Sequence, residues 1–394
     1  MSVVPFVKPC YDEGGFSALP RRIFNWLTAD CYDRVVLFVL DGFGWRFFEK
    51  FQEAAGLSAL LRRSRVEKLT AQFPSTTSVH LTTLHTGQTI GQHALLEWNM
   101  YEPMLEAVIA PLMFSFAGDI GRDTLVGKIT PQALYPPQRW YPALQKQGVR
   151  PIVLQHGEYA RSTYSTFFLH GAEVRGYKTL AEGLTNLALA LERLEGKGFF
   201  HFYYDRVDAL AHDYGPLAPQ TEAEILSFWL LFERFLSRLP ALSGRTLFLL
   251  TADHGEVEVD PATTVYINTD HNFAGLERFL CRNTWGKVIA PVGACRDFFL
   301  YVRPEAMEEA QDFLARRLKG RAEVWRVDTM IAEGWFGPRI SSRFRERVGN
   351  LVVLPYAGEA VWWYEKDKFF QKYYGHHGGL TPQEMEIPLI LWEM

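Results

Sequence analysis

The run RVVLFVLDG, residues 34–42, is an unbroken apolar stretch closed by Asp-Gly. A strand with one wet face alternates apolar and polar residues, so a run without alternation reads as a strand buried on both faces of a parallel sheet. The pattern returns in PIVLQH (151–156), GFFHFYYD (198–205), RTLFLLTADHG (245–255) and EIPLILWEM (386–394). Helix-like stretches lie between several of them, notably LAEGLTNLALALERLEG (180–196) and AEILSFWLLFERFLSRL (223–239). This alternation predicts an α/β fold with a mainly parallel central sheet flanked by helices on both faces.

From about residue 260 to 375 the rhythm breaks. DFFLYVR (297–303) reads as a strand, EAMEEAQDFLARRLKG (305–320) as a helix, AEVWRV (322–327) as a strand, and LVVLPY (351–356) with AVWWYE (360–365) as a later strand pair. The expected organisation is a catalytic core, 1–259 and 376–394, carrying a smaller α+β cap, 260–375, inserted before the last core strand. The arginine runs LRRSR (61–65) and RFRER (343–347) read as solvated surface.

With 48% hydrophobic residues the chain supports a sizeable core, and a formal net charge of -4 gives no basic field for nucleic acid or anionic membranes. Cys10, Cys31, Cys281 and Cys295 lack C-x-x-C spacing and read as thiols of a reducing compartment. The opening MSVVPFVKPCYDEGG is not a secretory signal and no apolar run is of membrane-spanning length, so a soluble cytoplasmic protein is expected. Its oligomeric state is not legible here.

Five polar segments carry the chemistry. In FYYDRVDALAHDYGP (202–216), Asp208 and His212 stand at i and i+4, on one side of a helix, where they can share a divalent cation. Asp253 and His254 end an apolar run in LTADHGEVEV, and Asp41 ends another in VLDGFGW. Carboxyl ends of strands are where sites collect in α/β sheets. FPSTTSVHLTTLHTG (73–87) leads a hydroxyl-rich turn into a probable helix start; Ser75 or Thr76 is expected to cap that helix, while a neighbouring hydroxyl faces the site as nucleophile. GHHGGLTPQE offers His376 or His377 before two glycines that permit close backbone approach.

As an ordered set (Asp-Gly, F-P-S-x-T, D-x-x-x-H, D-H-G, H-G-G) these segments resemble the alkaline phosphatase superfamily, and within it the nucleotide pyrophosphatase/phosphodiesterase-type family. The resemblance implies two metal sites: Asp208, His212 and His377 for one ion, and Asp41, Asp253 and His254 with the nucleophile oxygen of Thr77 for the other. It implies metal-dependent hydrolysis of phosphodiester or phosphoanhydride bonds in a small-molecule phosphate ester or nucleotide, through a covalent phospho-threonine. The ligand types suit Zn2+, with Mn2+ also compatible. Charge agrees: two dications are balanced by three aspartates and a Thr77 alkoxide, leaving a near-neutral site for an anionic diester.

GQHALLEWNMYEP (91–103) supplies Asn99 as the expected phosphoryl contact, with Trp98 as the other occupant of that place, and His80 is a second expected substrate contact. Arg161 or Arg206 could add a cation. Trp335, Phe336, Trp362 and Trp363 either fill the cap core or stack on a base. No C/S-x-P-x-R segment of the sulfatase type is present. A phosphomonoesterase or phosphonate hydrolase of the same superfamily is the alternative function, and a non-catalytic metal- and nucleotide-binding scaffold is the second.

Overall fold

The computed structural model describes residues 6–239, 242 and 244–394; the first five residues of the opening stretch read above lie outside that set. Seven strands form the main sheet: β1 (Arg34–Leu40), β2 (Arg65–Thr70), β3 (Arg150–His156), β4 (Glu173–Tyr177), β5 (Gly198–Tyr204), β6 (Thr246–Thr251) and β7 (Glu386–Glu393). Their spatial order is β2-β7-β6-β1-β5-β3-β4. Every pairing from β6 to β4 is parallel, whereas β7 runs antiparallel to both β6 and β2.

Burial follows the apolar runs. β1, β5 and β6 are buried at every residue, as strands covered on both faces must be. The edge strands β2 and β4 are RVEKLT and EVRGY, half exposed and charged, which blunts the edges against pairing with other chains. That charge also hides them from a search for apolar runs. Arg65, expected as plain surface, opens β2 and meets Glu67 at 2.7 Å with its side chain still exposed.

Four helices matter for the site: α1 (Thr77–Thr86), α2 (Leu180–Arg193), α3 (Arg206–Tyr214) and α4 (Pro219–Arg238). α2 stops at Arg193, and α4 begins four residues earlier than its apolar periodicity suggests, because Pro219 suits a first helical turn. α1 is buried along its length although rich in hydroxyls. Thr82 and Thr86 donate to the carbonyls of Ser78 and Thr82, both at 2.7 Å, so burial leaves those hydroxyls satisfied.

In the segment 260–375 the main sheet has Leu351–Pro355 at its centre, antiparallel to Phe298–Leu300 and Ala322–Arg326, with helix Met307–Arg317 beside it. The expected pairing of LVVLPY with AVWWYE does not occur: Val361–Trp362 pairs in parallel with Val265–Tyr266 instead. A three-stranded antiparallel sheet over Met100–Glu102, Ala107–Ala110 and Ser115–Phe116 was not foreseen. The apolar core of this half is continuous from Phe73, Leu95 and Phe114 to Phe298, Phe313 and Val353.

RFRER is not solvated throughout. Arg347 is fully buried and donates to Glu102 Oε2 at 2.7 Å and to the carbonyls of Ala94 and Leu134, while Arg343 reaches Glu102 Oε1 at 2.9 Å. The four cysteines are free thiols. Among the described residues no helix is long and apolar enough to cross a membrane.

Candidate metal centre and active site

β1 lies between β5 and β6, so the turns that leave these three strands open side by side. Asp41 follows β1, α3 with Asp208 and His212 follows β5, and Asp253 and His254 follow β6. Gly42, at φ +73°, lets the first turn approach the second: a Cβ there would lie 3.1 Å from Asp208 Cα. The loop carrying His377 is far away in sequence and is tied in twice. Gly375–His376 pairs antiparallel with Val257–Glu258, just beyond the Asp-His-Gly turn. Ser75 clasps the other side: its Oγ donates to the Gly379 carbonyl at 2.8 Å and accepts from Gly378 N–H at 3.1 Å.

The three expected histidine ligands are oriented alike. Nδ1–H of His212 faces the Gly375 carbonyl at 2.8 Å, that of His254 the Gly255 carbonyl at 3.1 Å, and that of His377 the Ser75 carbonyl at 3.1 Å. Each Nε2 is thereby turned into the site, the arrangement by which backbone carbonyls fix metal-ligating imidazoles. His254 Nε2 lies 3.3 Å from Asp41 Oδ1 and 3.5 Å from Asp253 Oδ2. His212 and His377 Nε2 lie 3.4 and 3.8 Å from Asp208 Oδ1. Two clusters of convergent ligand atoms result, Asp41–Asp253–His254 and Asp208–His254–Glu256–His377, with His212 beside the second.

The donor set fits divalent cations. Asp208 Oδ1, Asp253 Oδ2 and both oxygens of Glu256 are buried without a hydrogen-bond partner, which a native site tolerates where a cation completes it. Charge crowding agrees. Burial and then the Asp41 charge push the Asp253 carboxyl well above its usual range. Burial works against Asp41 ionising as well, yet His254 and the Tyr203 hydroxyl, which donates to Asp41 Oδ2, hold it below its ordinary value. His254 rises to about 10 against its burial, because Asp253 and Asp41 surround it.

Thr77 is the first residue of α1, and its Oγ1 lies 3.1 Å from His254 Nε2 and 3.3 Å from Asp41 Oδ1. Ser75 is spent on the clasp just described. Thr76 takes the N-cap position of α1 but forms no capping bond, so the expected side-chain cap is absent from both residues. The site opens into a cleft of about 590 Å³ lined by Asp41, Thr77, Asp208, His212, His377 and Asn99.

His80 does not line that cleft. It is fully buried; its Nε2 accepts from Gln72 N–H at 2.7 Å and its Nδ1–H faces the Thr76 carbonyl at 2.7 Å, so the expected substrate contact has no free nitrogen. Arg161 is absent from the lining, whereas Arg122, Lys368 and Lys372 contribute cations that sequence reading did not single out. Of the four aromatics named from the sequence, Trp362 lines the cleft, joined there by Phe369, Phe370 and Tyr373; Trp335 packs on Trp325 and Phe336 on Phe73 and Phe344. Glu256, two residues after His254, was also passed over, and an acidic residue directly after Asp-His-Gly was the available signal.

The profile of the family described as "Type I phosphodiesterase / nucleotide pyrophosphatase" matches residues 35–380. Among solved structures, murine ectonucleotide pyrophosphatase / phosphodiesterase 5 superposes with a TM-score of 0.64 at 15% identity, covering 90% of this chain and 87% of that one. Its inactive threonine-to-alanine form in complex with AMP gives 0.65 at 14%, covering 91% and 87%. Phosphonoacetate hydrolase from Sinorhizobium meliloti 1021, in complex with phosphonoformate, gives 0.64 at 16%, covering 91% and 90%. No curated protein matches the chain.

Proposed function

Because the chain belongs to the type I phosphodiesterase / nucleotide pyrophosphatase family, we propose that it hydrolyses phosphodiester or phosphoanhydride bonds of a nucleotide-like substrate through a covalent phospho-threonine at Thr77. The observation that carries this reading is the place of Thr77: a hydroxyl at the start of a buried helix, within 3.4 Å of both Asp41 oxygens and 3.1 Å from His254, at the floor of a large cleft.

Asp41, Asp253 and His254 would hold one divalent cation and Asp208, His212 and His377 a second, zinc or manganese by ligand type. When bound, the pair would neutralise charge on the phosphoryl and leaving oxygens and lower the pKa of hydroxyls beside them. Thr77 Oγ attacks phosphorus while the bond to the leaving oxygen breaks, giving phospho-threonine and the released alcohol or phosphate. Water then attacks the phosphorus, the P–Oγ bond breaks, and the phosphoryl group leaves as the phosphate product while a proton from the water restores the Thr77 hydroxyl. The first turn of α1 adds a partial positive charge at the attacked group. Asn99, which lines the cleft, would in this reading meet a phosphoryl oxygen. Residues 260–375 serve in this reading as the inserted cap over a core of 1–259 and 376–394.

The mouse relative supports the nucleotide reading, since it binds AMP and its inactive form lacks a threonine. The phosphonate-hydrolase neighbour supports the second reading, a phosphonate or monoester hydrolase, to which Arg122, Lys368 and Lys372 would offer the needed positive charge. The test compares bis-p-nitrophenyl phosphate, p-nitrophenyl phosphate and phosphonoacetate on cation-loaded protein, chelated protein and Thr77→Ala. Diester turnover that is fastest and disappears with chelator and with Thr77→Ala is the expected result. Preference for the monoester or phosphonate moves the assignment to the second reading, and no turnover with bound cation leaves the scaffold.

A further inference from the structure

Glu256 has no role in the two-cation arrangement above, yet it is 2% exposed and neither carboxylate oxygen has a hydrogen-bond partner. It sits between the Asp-His-Gly turn and the short ladder to Gly375–His376, so its backbone is fixed on both sides. Oε1 lies 3.9 Å from His212 Nε2, and the ligand atoms of Glu256, Asp208, His254 and His377 all fall within 4.8 Å of one another. The Nδ1–H groups of His212 and His377 are already given to backbone carbonyls, so both rings turn lone pairs, not protons, toward Glu256. Asp208 opposes it with like charge. His254, the remaining member of that cluster, has its Nε2 3.3 Å from Asp41 and 3.5 Å from Asp253 and makes no hydrogen bond to Glu256, so a carboxylate this deep still needs a cation to complete it.

We propose that Glu256 is a fourth protein ligand to the cation held by Asp208, His212 and His377, an inference that rests on the two-cation reading of the site. Two consequences follow. With an entering oxygen that centre is at least five-coordinate, which favours manganese relative to a tetrahedral zinc site. Asp41, Asp208, Asp253 and Glu256 also balance two dications by themselves, before Thr77 ionises or substrate enters. A singly charged diester is then accepted more readily than a doubly charged monoester, so Glu256 acts as a charge filter on the substrate.

The test is calorimetric titration of MnCl2 and ZnCl2 into chelator-stripped wild type and Glu256→Gln, a substitution that keeps shape and removes charge. Wild type is expected to take up two equivalents; in the variant one equivalent weakens by about tenfold or more, manganese more than zinc. The ratio of diester to monoester turnover is expected to fall with it. Two equivalents at unchanged affinity in Glu256→Gln would overturn the proposal, leaving Glu256 as a protonated acid bonded to Asp208. Wild type that binds no divalent ion overturns the two-cation reading itself. Should the variant fail to fold, a wild-type crystal soaked in zinc carries the test: a Glu256 oxygen about 2.0–2.2 Å from the metal supports the ligand role, and one outside contact distance refutes it.

Discussion

The imidazoles of His254 and His377 stack with centroids 3.8 Å apart and planes 27° from parallel, although one follows β6 and the other comes from the loop before β7. Two imidazolium rings at that spacing repel each other, and burial together with the charge on His254 holds His377 well below its ordinary value, so at most one ring of the stack is charged. The contact therefore joins the two clusters of ligand atoms into one centre.

Divalent cation should stabilise the fold as a whole. At a free concentration about 100 times its dissociation constant, one bound ion adds about 2.7 kcal/mol. A melting curve of chelator-stripped protein should move upward on adding ZnCl2 or MnCl2, and not on adding NaCl at equal ionic strength. An unmoved curve would contradict the reading of the unpartnered oxygens on Asp208 and Asp253.

Acid should remove the stability that the buried neutral histidines supply. Burial holds His80, His93 and His201 each at about 3, against an ordinary 6.5. Between those values the unfolded chain binds protons that the folded chain refuses. The stability from these residues is therefore whole above pH 6.5 and is lost as pH falls toward 3. Each contributes a slope of about 1.4 kcal/mol per pH unit in that window. Buried carboxyls that are pushed upward, Glu97 and Asp297 among them, work in the opposite sense, so the histidine contribution is read as a difference: the stability gap between wild type and His93→Gln, from urea curves at about pH 7.5 and about pH 5, should move in the variant's favour as pH falls.

Within RFRER the two ends of the scale sit two residues apart. Arg347→Leu leaves Glu102 buried with Arg343 as its remaining ion-pair partner and should cost about 3–5 kcal/mol. Arg345→Ala, on the exposed side of the helix Ser342–Arg347 that carries both, should stay within about 0.5 kcal/mol. Chemical denaturation of the two variants decides it.

Ser75→Ala removes the hydroxyl that holds Gly378 and Gly379, leaving one buried donor and one acceptor unpaired. A loss of about 1–3 kcal/mol is expected. Because His377 hangs on the same loop, cation affinity should drop with it, which titration calorimetry reads separately. Full stability with wild-type affinity would show that the clasp positions nothing.

Arg122 and Lys368 line the cleft and belong to neither cluster of ligand atoms. Neutralising either should raise KM for an anionic nucleotide several-fold while kcat changes little, the mark of a contact made equally in ground and transition states. A fall in kcat at constant KM would place the residue at the reacting phosphoryl group instead.

The main sheet could be read from the chain because β1, β5 and β6 are apolar at nearly every position, and burial on both faces explains that. The edge strands could not, since RVEKLT looks like surface until its partner β7 is known. The segments bearing the candidate ligands are local too: Asp208 and His212 share a helix, and Asp253 and His254 share a turn. What stayed hidden depends on distant partners. Arg347 looks solvated until Glu102 is placed beside it, and His80 looks available until Gln72 and Thr76 are seen on both its nitrogens. Val361–Trp362 chose Val265–Tyr266 over its sequence neighbour, a choice made by packing and not by propensity.

The ladder between Val257–Glu258 and Gly375–His376 also fixes when the site comes into being. A ribosome releases Asp41, Thr77, Asp208, Asp253 and His254 well before His377, and the whole segment 260–375 is made in between. Contacts of such long sequence separation form late. In the two-cation reading proposed above, the centre would be a seal closed by the last loop: a nascent or damaged chain that has not docked it would lack His377, and would be inert instead of loosely selective.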